Sequence, residues 1–125
     1  MVIDINTLRK EAEKFIPDLL GIIIVDEYGL PLTYSLSTTL DDPIIISGLL
    51  SSAVNMLENL LRELGGANFE LVYTQGDKLC IFVGKVKNLY LGFLTSPTTK
   101  IGTIFMEYKI IRPKLEEYLS EIMGG

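Results

Sequence analysis

The 125-residue chain contains no histidine and a single cysteine, Cys80. Histidine is the usual general base near neutral pH and the commonest transition-metal ligand. Without it a Ser-His-Asp or Cys-His nucleophile pair cannot form, and with one thiol a Cys/His zinc site cannot be assembled within one chain. Only carboxylate, lysine, tyrosine or arginine chemistry remains. The lone Cys80 also excludes an internal disulfide and suits a reducing cytosol, so a cytoplasmic location is expected. Basic residues are sparse too. Eleven Lys and Arg stand against 16 Asp and Glu, a net charge of −5, with no basic cluster of the kind a nucleic-acid groove or an anionic membrane surface requires. The longest uninterrupted apolar run is Leu19 to Val25, counting Gly21, well short of the roughly 20 residues of a membrane span. The amino-terminal MVIDINTLRKE lacks the basic-then-apolar pattern of a leader. No glycine-rich stretch has phosphate-loop spacing, and neither a cofactor nor a metal is expected.

What remains is a hydrophobic chain, 48% apolar, long enough for one domain over residues 1–125 with a core that needs no disulfide. Asn6 can cap a first helix running to about Phe15, with Leu8, Ala12, Phe15 and Ile16 at helical spacing. Leu19 to Val25 reads as a strand buried on both faces. Asp26-Glu27-Tyr28-Gly29 reads as a hairpin corner, with Gly29 supplying a positive φ. In the return strand Leu30, Leu32, Tyr34 and Leu36 alternate with Pro31, Thr33, Ser35 and Ser37. Pro31 lacks a donor, which puts this strand at a sheet edge. Asp42 before Pro43 fits an N-cap followed by proline at the first helical position. The helix from Pro43 to about Leu64 carries Ile46, Leu49, Leu50, Ala53, Leu57, Leu60, Leu61 and Leu64 on what reads as one core-facing stripe, and Gly65-Gly66 ends it. Phe69 to Gln75, Lys78 to Val83 and Leu89 to Leu94 form three further strands. Ile101, Ile104, Phe105, Tyr108, Ile111, Leu115, Leu119 and Ile122 mark a last helix that Pro113 should kink.

The order is α-β-β-α-β-β-β-α, an α+β domain whose five-stranded antiparallel sheet, order 2-1-5-4-3, has helices on both faces. Phe69 to Gln75 is then the edge opposite the proline-protected one, with Glu70 as its only charge. An edge so bare tends to be covered, often by a symmetry mate.

Few candidate sites survive comparison with simpler readings. Asp26-Glu27 is better explained as a solvated turn than as a metal or general-base pair. Asp41-Asp42 is better explained by capping than by cation binding, and Cys80 by core packing than by reactivity. Arg62 could act as an arginine finger toward a phosphoryl group, although Glu58 and Glu63 make it an ordinary solvated helix charge. The face of the long helix opposite the leucines is less ordinary. Gly48, Ser51, Ser52, Asn55, Glu58, Asn59 and Arg62 lie there, and its first half is small and nearly uncharged. Small side chains allow another protein to approach closely, so these seven residues are the candidate partner surface.

GIIIVDEYGLPLTYSL resembles the apolar strand, Asp-x-x-Gly turn and return strand of the roadblock (dynein light-chain) family. The leucine-rich helix, FELVYTQGDKLCIFVGKVKNLYLGFL as three strands and KIGTIFMEYKI as the start of the last helix extend that resemblance from about Phe15 to Leu119. It implies the related roadblock/profilin-like fold. It also implies a non-enzymatic adaptor that dimerises where the central helices and third strands of two copies meet, and that binds a small Ras-like GTPase as scaffold or activating partner, as in the bacterial gliding-polarity regulators. By this resemblance Phe69, Glu70, Leu71, Val72, Tyr73, Thr74 and Gln75 form the dimer seam. Two other classes compete. A structural subunit of a motor or scaffold fits the same features. A PAS- or GAF-like sensor fits less well, since no strand points polar residues into the apolar interior.

Overall fold

The computed structural model describes residues 4–37, 40, 42–66 and 68–122. Its elements are α1 (Ile5–Glu13), β1 (Leu19–Val25), β2 (Pro31–Leu36), α2 (Pro43–Glu63), β3 (Leu71–Gln75), β4 (Cys80–Val86), β5 (Leu89–Thr95) and α3 (Ile101–Ile122). All strand pairs are antiparallel, and the sheet order is β2-β1-β5-β4-β3, as the connectivity predicts. α1 and α3 cover one face and α2 the other.

Alternation along the strands divides the interior into two cores. Ile22, Ile24, Phe82, Leu91 and Phe93 point toward α1 and α3, where they meet Leu8, Ala12, Ile104, Tyr108, Ile111 and Leu115. Ile23, Val25, Val83, Tyr90 and Leu94 point toward α2 and meet Leu50 and Val54. β1 and β5 are therefore apolar at successive positions, as strands buried on both faces must be. The Asp26–Gly29 corner is a structural turn: Asp26 Oδ1 accepts from the backbone N–H of Tyr28 and of Leu30, both at 2.9 Å, and Gly29 takes φ +85°.

Several local expectations shift. Asp4, not Asn6, caps α1, its carboxylate accepting from the Asn6 backbone N–H at 3.1 Å. Phe15 lies beyond the helix and is exposed. β4 continues to Val86, because Lys87-Asn88 alone make the turn, with Lys87 at φ +55°. Phe69 and Glu70 precede β3 instead of opening it. α3 runs unbroken through Pro113, and since Pro113 and Lys109 are both exposed, the carbonyl that loses its partner is on the water side. On α3, Ile101 is exposed and Phe105 half-buried, so the buried stripe is narrower than its spacing implies. Asp41 lies outside the described residues.

α2 is the one helix among the described residues long and apolar enough to cross a membrane. Its apolar residues do not form one uninterrupted run, because Ser47, Ser51 and Ser52 interrupt them. Ser47, Leu50, Ser51 and Val54, all buried, seat it on the sheet as one layer of the domain.

Candidate protein-interaction interface

Both ends of α2 are set by sequence. Asp42 Oδ1 accepts from the Ile44 N–H at 2.8 Å and Pro43 occupies the first helical position. At the other end Gly66 N–H donates to Leu61 O at 2.7 Å and Gly65 N–H to Arg62 O at 3.1 Å, with Gly65 at φ +78°. This is the paired closure that a glycine after the C-cap permits.

The face α2 turns to the sheet is not the leucine stripe. It is centred on Ser47, Leu50, Ser51 and Val54, with Leu57, Glu58 and Leu61 half-buried beside them. At 100° per residue this face is roughly 80° from the middle of the stripe. Small side chains explain the choice. Ser47 satisfies its hydroxyl on the Ile44 carbonyl at 3.1 Å. A Cβ on Gly29 would fall 3.1 Å from Ser51 Oγ, so the β1–β2 corner and α2 touch through a glycine and a serine. Leu50 lies over Gly92, where a Cβ would come within 3.3 Å of Leu50 Cδ1.

Two of the seven candidate partner residues are thereby relocated. Ser51 is buried, and Glu58 turns down to the sheet, where the Tyr90 hydroxyl donates to its Oε1 at 2.9 Å and Lys85 Nζ stands 3.6 Å away. Burial, then the bond to Glu58, pushes the Tyr90 hydroxyl up to about 12. Gly48, Ser52, Asn55, Asn59 and Arg62 remain exposed along one flank, with Arg62 Nη2 donating to Asn59 Oδ1.

The opposite flank is apolar and open. Leu49 is 69% exposed, Met56 72% and Leu60 53%, and Ala53 and Leu64 are also exposed. Leu49, Ala53, Leu60 and Leu64 thus face away from the core that their helical spacing predicts for them. This flank overlooks β3 and β4, where Val72 and Ile81, and Leu79 in the turn between the strands, are only half-buried.

β3 pairs with β4 alone, so its other edge presents unpaired backbone. Within the predicted seam, Leu71 and Tyr73 pack toward the α3 face, Val72 toward the α2 face, and Thr74 and Gln75 are exposed. Phe69 is withdrawn from it: buried, it meets Tyr90 edge-on at 6.4 Å between centroids. Glu70 is exposed, and its carbonyl accepts from the Lys85 N–H at 2.8 Å. Among the described residues no three metal-ligating side chains converge.

A five-stranded antiparallel sheet in the order 2-1-5-4-3, between one helix and two, with helices at both ends of the chain, defines a profilin-like α+β domain. The family is narrower. Residues 14–95 match the Roadblock/LC7 domain model, and the chain belongs to that family. The fold is similar to Myxococcus xanthus MglB, at 18% identity and TM-score 0.84 over 94% of this chain and 95% of that one. It is also similar to a Roadblock/LC7 domain from Streptomyces avermitilis, at 16% identity and TM-score 0.82 over 94% and 98%. Acanthamoeba castellanii profilin IA is more distant, at 12% identity and TM-score 0.58 over 87% and 96%. A comparison with curated proteins gives no match.

Proposed function

We propose that this protein is a non-enzymatic, homodimeric adaptor that binds a small Ras-like GTPase in the cytoplasm, as scaffold or as activating partner. The observation that carries the reading is the open apolar flank of α2, with Leu49, Met56 and Leu60 exposed beside the unpaired edge of β3. A second copy related by a two-fold axis covers both features at once: strand pairs with strand, and flank packs on flank. Isolated exposed leucines need no explanation, but a continuous row of them beside a bare strand edge does.

The division of α2 into two flanks then separates two contacts. Leu49, Ala53, Met56 and Leu60 serve the dimer. Gly48, Ser52, Asn55, Asn59 and Arg62 stay uncovered and are available to the GTPase. The GTPase itself is inferred from membership of the roadblock family.

Light scattering on the purified protein, followed by calorimetric titration with GDP- and GTP-loaded Ras-like GTPases of the same organism, tests the reading. A stable dimer that binds one nucleotide state, and binds it more weakly in Asn55→Arg, is expected. A stable monomer ends the dimer claim. A dimer that binds no GTPase in either state shifts the assignment to a structural subunit of a larger assembly. Arg62→Ala separates the activating role from scaffolding. If Arg62 acts on the phosphoryl group, stimulated hydrolysis falls at least tenfold with binding retained, and an unchanged rate removes Arg62 from the chemistry.

A further inference from the structure

α1 rests on β1 and β2 and α3 on β4, so the seam between these two helices runs above β5. Most of what lines it is apolar: Leu8 and Ala12 of α1, Ile104 and Ile111 of α3, and Leu91 and Phe93 from the strand beneath. Glu107 is the exception. It lies on α3 between Ile104 and Ile111, is 1% exposed, and its Oε2 has no hydrogen-bond partner. An unpartnered buried carboxyl is rare in folded proteins and costly once ionised.

The charges around it do not balance. Among the described residues, Glu11 from α1 and Lys114 from α3 are the charged groups that act on it. Lys114 stands about two turns further along the same side of α3, and its Nζ donates to Glu11 Oε2 at 3.1 Å across the seam. The strands add no charge. β1 and β5 bring Ile22, Ile24, Leu91 and Phe93, and the titratable side chains that the sheet turns to this face are Cys80 of β4 and Tyr73 of β3. The Tyr108 hydroxyl, on α3 itself, donates to Lys85 O at 2.9 Å. Neutral, Glu107 leaves the Glu11–Lys114 bond undisturbed at the rim. Ionised, it is a second carboxylate for one ammonium. Burial raises its carboxyl above the usual range, Glu11 adds to the rise and Lys114 opposes it. The neutral form therefore belongs to low pH, and the charged form appears as pH rises.

α1 is held unequally on its two sides. Arg9 and Glu11, two residues apart, point about 200° from each other around the helix. On the Arg9 side the guanidinium donates to Ser35 O at 3.1 Å, Ser35 Oγ at 3.2 Å, and Leu19 O and Ser37 Oγ both at 3.3 Å, while its Nε pairs with Glu13 at 2.8 Å. On the Glu11 side the hold is the single bond to Lys114. We propose that the α1–α3 seam is a proton-operated latch. With Glu107 neutral, α1 lies closed on α3. With Glu107 ionised, the Glu11 side of α1 lifts away, pivoting on Arg9, and admits water to the carboxylate. The latch lies on the opposite face of the sheet from α2 and rests on neither the dimer nor the GTPase reading.

Hydrogen exchange of the full-length protein, read by mass spectrometry from pH 5 to pH 8 and corrected for the intrinsic rise in exchange with pH, tests the latch. Amides of α1 should exchange at least tenfold faster at pH 8 than at pH 5, while those of β1 and β5 stay unchanged. Glu107→Gln, which keeps the shape and cannot ionise, should hold α1 at its pH 5 rate throughout. Lys114→Met, which removes the cation facing the carboxylate, should move the opening to higher pH. Circular dichroism checks that each variant is folded. A flat α1 profile in the wild type, an equal rise in β1 and β5, a rise in Glu107→Gln that matches the wild type, or an opening of Lys114→Met at unchanged or lower pH each overturns the proposal.

Discussion

Replacing Leu49 and Leu60 by serine, one at a time, should dissociate the proposed dimer while leaving the monomer folded. Both side chains are more than half exposed in the single chain, at 69% and 53%, so neither contributes much to the core. A serine at such a site changes monomer stability by no more than about 0.5 kcal/mol. In the dimer the loss is larger. Burying a leucine completely is worth about 1.5–3 kcal/mol, and covering the part now exposed recovers roughly 1–2 kcal/mol of it. A two-fold interface contains each substitution twice, so the association free energy falls by about 2–4 kcal/mol. That corresponds to a dissociation constant weakened roughly 30- to 700-fold. Sedimentation equilibrium measures it directly, and urea melts of the dissociated species check that the monomer persists. Leu30→Ser, on the β2 side and equally apolar, is the control and should leave the constant unchanged. A dimer that withstands both Leu49→Ser and Leu60→Ser would refute the assignment of this flank, as would equal weakening by Leu30→Ser.

Three further outcomes follow from the packing. Gly84→Ala should destabilise the fold by about 2–4 kcal/mol in urea melts, since a Cβ there would fall 2.7 Å from the Tyr108 hydroxyl oxygen and closer still to its ring, and would displace the bond from that hydroxyl to Lys85 O; unchanged stability would mean the ring is not held there. The Tyr90 hydroxyl, raised by burial and by its bond to Glu58 to about 12, gives stability that is whole below pH 10 and is lost as pH rises through 12, because the unfolded chain releases the proton first. Tyr90→Phe should remove that alkaline loss relative to wild type, and parallel pH profiles would contradict it. Glu107 is 1% exposed with Oε2 unpartnered, and burial, reinforced by Glu11 and opposed by Lys114, raises its carboxyl above the usual range. Its contribution is therefore fullest below the unfolded value and declines as pH rises through the folded one. Glu107→Leu should melt higher than wild type at pH 8, with the gap narrowing toward pH 4; a constant gap would exclude ionisation as the cause.

Much of this architecture was readable before the fold, and the reasons are local. Leu19 to Val25 is apolar at successive positions because β1 is sandwiched, and Pro31 marks β2 as an edge because it cannot donate to a neighbour. Asp42-Pro43 and Gly65-Gly66 bracket α2 by chemistry that acts over three or four residues. Sheet order followed because a hairpin, a helical crossover and a meander leave few arrangements of five antiparallel strands. The orientation of α2 was not readable in the same way. Periodicity locates the centre of the apolar arc, and the eight residues from Ile46 to Leu64 put that centre near Leu57 and Ala53. Burial is decided by what the helix touches. Ser47 and Ser51 let the backbone come down on Gly29 and the sheet, with Ser47 satisfying its hydroxyl within the helix, while Leu49, Ala53 and Leu60 were left aside. The two centres differ by roughly 80°, at 100° per residue, because the apolar arc is wider than one sheet can cover. On a helix that packs against a single layer they should nearly coincide. Their separation here leaves apolar surface exposed toward β3 and β4, the edge at which the proposed dimer would bring a strand as well as a helix.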